Sequence, residues 1–72
     1  MKQKTHTLIV SLRQVRKAKQ MRQYELASRI GVDTTLVSRW ENGLRSPSWF
    51  SLVCWADALG VQITISEKND AA

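Results

Sequence analysis

Seventy-two residues with eleven Lys/Arg against six Asp/Glu, a net charge of +5, make one domain near the lower limit for a self-sufficient hydrophobic core. One cysteine, Cys54, excludes an internal disulfide and a multi-cysteine zinc site, and one histidine, His6, adds no ligand cluster, so no metal or cofactor is expected and Cys54 is read as a packing residue. No apolar run reaches the length of a membrane span and the N-terminus lacks the apolar core of a signal peptide, which predicts a cytoplasmic chain.

The charge is uneven. Residues 1–45 hold ten Lys/Arg against Glu25, Asp33 and Glu41, a net of +7, while residues 46–72 hold Lys68 against Asp57, Glu67 and Asp70, a net of −2. Such a distribution favours a polyanionic partner, nucleic acid ahead of an anionic membrane, because no amphipathic Lys/Trp helix is present.

Residues 1–6, MKQKTH, lack apolar periodicity and predict a flexible basic arm. From Thr7 to Lys19, Leu8, Leu12, Val15 and Lys19 follow helical spacing, with Arg13, Lys17 and Gln20 outside. Arg16 borders this stripe, as Glu41 borders a later one, and a carboxylate at the edge of a core needs a partner; the two are predicted to pair. Met21 is read as a core plug beneath the link to the next helix, whose start carries Arg22 and Gln23, a natural phosphate clamp beside free N-terminal amides.

The stretch Gln23 to Asn42 reads as two short helices around a tight turn. Leu26, Ala27 and Ile30 form one apolar face that stops at Gly31, and Asp33 is expected to cap a second helix that ends at Asn42 and Gly43. At about 100° per residue, Leu36, Val37, Trp40, Glu41 and Leu44 share one arc and Thr34, Thr35, Ser38, Arg39 and Asn42 the other. The second arc is short, polar and carries an arginine, which suits the donor and acceptor pattern of a DNA major groove, although a merely solvated helix face has the same character.

Leu44 to Pro47 is read as a loop, with Ser46 as cap and Pro47 at the first position of a fourth helix that buries Leu52, Trp55, Ala56 and Leu59, with Phe50 and Val53 nearby, and ends at Gly60. Trp49, Phe50 and Trp55 are read as core or dimer contacts in preference to ligand-stacking residues. Val61 to Ser66 alternates apolar and polar, the pattern of one strand with Val61, Ile63 and Ile65 on its greasy face. The chain holds no second strand, so this segment points to a homodimer with antiparallel pairing between copies; the alternative is a tail lying along the helices. Residues 67–72 are expected to be disordered.

The run Gln23, Leu26, Ala27, Gly31, Val32, Val37, Ser38, Trp40, Glu41, Asn42, Gly43, then Pro47, Leu52, Ala56, Leu59 and Gly60, resembles the helix-turn-helix domain of the Cro and phage-repressor family, from about Leu8 to Gly60. The resemblance implies a mostly α, lambda-repressor-like bundle of four helices over residues 7–60, with the third helix in the major groove. It places Thr34, Thr35, Ser38 and Arg39 at base-contacting positions, Gln23 and Asn42 at phosphate-contacting ones, and Arg16 with Glu41 in an internal ion pair; Arg45 and Ser46 lie in a loop that meets the DNA backbone. Arg22 stands where the family often has a Ser, Thr or Asn cap, and is expected to approach phosphate instead. The C-terminal pattern is similar to strand-ended members such as HipB-type antitoxins.

Three functions follow in order. The first is a sequence-specific double-stranded DNA-binding transcriptional regulator, a repressor acting as a homodimer on a palindromic operator. The second is an antitoxin that neutralises a protein toxin and autoregulates its operon, opposed by the short tail after the strand. The third is a helix-turn-helix scaffold for protein contacts alone. An enzyme is disfavoured, since the sequence has no nucleophile and base constellation, Gly-rich phosphate loop or metal-ligand spacing.

Overall fold

The computed structural model describes the backbone of residues 2–63 and the side chains of residues 7–63. Four helices follow one another: α1 Lys2–Ala18, α2 Gln23–Ile30, α3 Thr34–Glu41 and α4 Trp49–Ala58. Helix α1 starts at Lys2, not Thr7, so the segment expected as an arm is helical backbone; neither glycine nor proline interrupts residues 1–18. Its inward face is Ile9, Leu12 and Arg16, at spacings of three and four, whereas Lys19 lies past the helix end and is exposed.

The short connections share one construction. After α1, Gln20 takes a left-handed φ of 58° and Met21 N donates back to Arg16 O at 3.1 Å; after α2, Gly31 does the same at φ 90° and Val32 N donates to Ala27 O at 3.0 Å. These bonds satisfy carbonyls that the helix end orphans. The next residue but one in each case, Arg22 or Asp33, is already the extended N-cap of the following helix. Met21 and Val32 therefore serve two helices at once, finishing one and standing just ahead of the next cap. There they pair by position with Leu26 and Val37, the fourth residues of the following helices, in the arrangement of a hydrophobic staple. Both partners are 0% exposed. Connections of four residues after α1 (19–22) and three after α2 (31–33) are built on this shared residue.

A glutamine at φ 58° carries a Cβ strain that glycine does not, of about 1 kcal/mol. Gln20→Gly is expected to raise the melting temperature by a few degrees, the gain being trimmed by glycine's greater freedom in the unfolded chain. An unchanged or lower melting temperature in calorimetry would show that Gln20 meets this geometry without strain.

Helix α4 begins two residues later than Ser46 and Pro47 suggest. The cap is Ser48, whose Oγ accepts from Ser51 N at 3.0 Å. Pro47 instead precedes the cap and is buried, with Leu52 at the matching staple position. Either serine of Ser46-Pro47-Ser48 has the chemistry to cap; burial of the proline ring decides between them. Leu44, expected on the packing arc of α3, is 76% exposed, because the helix has ended and the chain has turned at Gly43, with Leu44 N donating to Arg39 O at 2.9 Å.

The core takes residues from all four helices: Ile9 and Leu12, Leu26 and Ala27, Val37 and Trp40, then Leu52, Trp55, Ala56 and Leu59. Trp40 stacks on Trp55 with ring centroids 5.7 Å apart and planes 25° from parallel, so α4 does pack behind the third helix. Cys54 is half-buried and free. Among the described residues there is no strand: residues 61–63 are irregular, with Val61 and Ile63 packed against the core and Gln62 exposed. Where the alternation is described, at Val61 and Ile63, its apolar side faces the chain's own core. Residues 64–66 of the expected strand, with Ile65, and the 67–72 tail lie outside the described residues.

Candidate nucleic-acid interface

An eight-residue helix with apolar residues on one arc must bury that arc, and α3 does. Val37, Trp40 and Glu41 are buried, Leu36 and Ser38 are intermediate, and Thr34, Thr35 and Arg39 are exposed, followed by exposed Asn42. The polar arc is thus one open surface. Asp33 supplies the extended N-cap backbone, with its carbonyl accepting from Leu36 N at 3.0 Å, but its side chain makes no capping hydrogen bond. The first amides of α3, beside Thr34 and Thr35, therefore lack the expected side-chain acceptor. Asn42 Nδ2 donates to Ser38 Oγ at 3.3 Å, which ties the last residue of this arc to its middle, one turn back.

What holds α3 in place is Glu41. Its side chain is 1% exposed, and a carboxylate so placed must be paired. Arg16 meets it in a two-pronged contact, Nε donating to Oε2 at 2.7 Å and Nη2 to Oε1 at 2.8 Å. The remaining Arg16 nitrogen, Nη1, donates to Met21 O at 2.7 Å, so the guanidinium also fastens the turn after α1. Gln23 Nε2 donates to Glu41 Oε1 at 2.9 Å; because a carboxylate only accepts, the glutamine must turn its nitrogen inward. The predicted ion pair is therefore a junction of α1, the start of α2 and the end of α3.

Of the residues expected at phosphate, Gln23 joins this junction and Asn42 adjoins it in the chain, while Arg22, Arg45 and Ser46 are exposed on the flanking segments. Gln23, half-buried, stands at the first position of α2, and its bond to Glu41 sets it next to Asn42, which follows Glu41 in the chain. With one amide hydrogen committed to Glu41, Gln23 keeps another for an outside acceptor. Arg22 is exposed and extended just before α2. Arginine has no side-chain acceptor, so only the return half of a capping box forms, Glu25 Oε1 accepting from Arg22 N at 2.7 Å. Arg45 and Ser46 are exposed in the loop after α3, and since Ser46 is not the cap, its hydroxyl is not used there.

Arg13 is the residue that sequence reasoning left out of this group. Its Nε lies 3.7 Å from Glu41 Oε1 while its side chain remains 44% exposed, so it adds a partly open cation to the same corner. The available signal was its position three residues before Arg16, on nearly the same face of α1. Among the described residues no group of three or more His, Cys, Asp and Glu could hold a metal ion, and no helix is long and apolar enough to cross a membrane.

Comparison with known proteins agrees with this geometry. A family model described as Helix-turn-helix matches residues 12–65. An uncharacterized HTH-type transcriptional regulator, y4dL of Sinorhizobium fredii (strain NBRC 101917 / NGR234), is 37% identical over 66 residues, which cover 92% of this chain and 34% of the relative. The chain thus spans about a third of that relative's length. No solved structure matches the chain.

Proposed function

Because the chain belongs to the Cro/C1-type helix-turn-helix family, we propose that it is a sequence-specific regulator of transcription that binds double-stranded DNA, a repressor acting as a homodimer on a palindromic operator. The observation that carries the reading is the division of α3, whose apolar arc and Glu41 are locked inside while Thr34, Thr35 and Arg39 stand free. In this reading α3 enters the major groove, where Thr34, Thr35, Ser38 and Arg39 meet base edges. Gln23, Asn42, Arg22, Arg45 and Ser46 hold the phosphates on either side, with Arg13 added to them. The basic charge of residues 1–45 supplies attraction that is independent of sequence. The name of the Sinorhizobium relative supports the regulatory role.

Selection of bound sequences from a random duplex pool at two salt concentrations tests the proposal. Two inverted half-sites centred about 10 base pairs apart are expected, with affinity falling steeply as salt rises. No enrichment even at low salt would leave the fold serving protein contacts alone. Arg22→Ala is expected to weaken binding evenly across sequences and to reduce the salt slope by about 1 per subunit; a change in base preference would move Arg22 from the phosphate to the groove.

A further inference from the structure

We propose that the outer face of α4 docks a second copy of this chain, the two α4 helices running antiparallel about a two-fold axis at Val53. The proposal rests on the homodimer reading and assigns it a surface.

Helix α4 is apolar on two arcs. Leu52, Trp55, Ala56 and Leu59 fill the core, yet Trp49, Phe50 and Val53 stand outward, 52%, 73% and 41% exposed. A helix that is apolar nearly all round belongs between two packed layers, and among the described residues only one is present. Trp49, Val53 and Asp57 follow at intervals of four, a single stripe along the helix, with Phe50 beside it. The stripe carries no cation, which sets it apart from the exposed Arg13 and Lys17 of α1 and from the Lys/Arg-flanked helices that lie on anionic membranes.

Its charge favours a copy of itself. Asp57 lies in the last turn of α4, where an anion opposes the helix dipole, and no acidic residue occupies the first turn, where one would be favourable. Asp57 forms no ion pair among the described residues. An antiparallel partner centred on Val53 corrects both faults together. Trp49 and Asp57 are each four residues from Val53, about 6 Å along the axis, so Asp57 of each copy arrives at the N-terminal turn of the other. The three apolar residues offer on the order of 300 Å² per copy, against about 800 Å² in a standard interface. The dimer is therefore weak in solution, and two adjacent half-sites hold it together by raising the effective concentration.

Sedimentation velocity of the full chain over a range of concentrations tests this, alongside binding to duplexes carrying one half-site or two. The wild type is expected to shift toward dimer as concentration rises. Val53→Lys and Asp57→Lys, both on exposed positions and checked for unchanged helical circular dichroism, are expected to weaken dimerisation tenfold or more while binding a single half-site like the wild type. A wild type that stays monomeric and binds two half-sites independently would overturn the proposal. So would a dimer indifferent to Val53→Lys, which would place the contact elsewhere, and a dimer indifferent to Asp57→Lys would overturn the antiparallel arrangement. If no half-site is ever selected, sedimentation still decides the docking surface by itself.

Discussion

Glu41→Ala is expected to cost about 3 to 5 kcal/mol of folding stability, the range for stripping one member from a buried ion pair. The loss comes from what remains. Arg16, 6% exposed, would keep its charge in the core edge with both bonds to the carboxylate gone. Gln23 would lose its acceptor as well. Small domains commonly hold only a few kcal/mol in reserve, so a thermal melt should show either a fall well beyond 10 °C or no folded baseline. Replacing both charges, Arg16→Met with Glu41→Leu, is expected to recover much of the stability, since a well-packed apolar pair often equals a buried ionic one. That double variant would fold without an anchor for Gln23 and should bind DNA more weakly than its stability predicts. A double-mutant cycle giving a coupling below about 0.5 kcal/mol would mean that the pair behaves as a solvated surface bridge.

Arg39→Ala is expected to lower affinity for the selected sequence by about 1 to 3 kcal/mol and to relax preference at one base position of each half-site. Arg39 is exposed on the open arc of α3 and makes no side-chain hydrogen bond within the described residues, so its removal should leave the melting temperature nearly unchanged. The pair of readouts matters. Loss of binding with a preserved melt places Arg39 at the DNA, whereas equal affinity and unchanged base preference would remove it from the groove.

Much of this architecture could be read from residue spacing, because the features concerned are periodic. The buried arcs of α2 and α3, the inward residues of α4 and the Arg16 and Glu41 pair all follow from where apolar side chains recur and from the need of a buried carboxylate for a partner. The missed features are those in which neighbouring residues compete on equal terms. Ser46 and Ser48 have the same capping chemistry, and only packing of Pro47 separates them. Gln20 gives no sign that it will adopt a left-handed backbone, since glutamine seldom does; it is accompanied by the packing of Met21 and the bond from Met21 N to Arg16 O. Asp33 is a favoured cap by type, yet its backbone alone fills that place. In the candidate interface the exposed arc was legible, while the inward turn of Gln23 toward Glu41 and the nearness of Arg13 depend on how three helices meet.

The separation of α3 into a locked arc and a free one bears on how such a protein changes over generations. Thr34, Thr35 and Arg39 have little part in holding the fold, and substitutions at such exposed positions usually alter stability by no more than about 0.5 kcal/mol. On the proposed groove reading, a lineage can therefore retarget the protein to a new operator by rewriting three side chains, with the inherited scaffold untouched. Glu41, on the opposite arc of the same helix, has no such freedom, because any replacement must answer to Arg16 and Gln23 together.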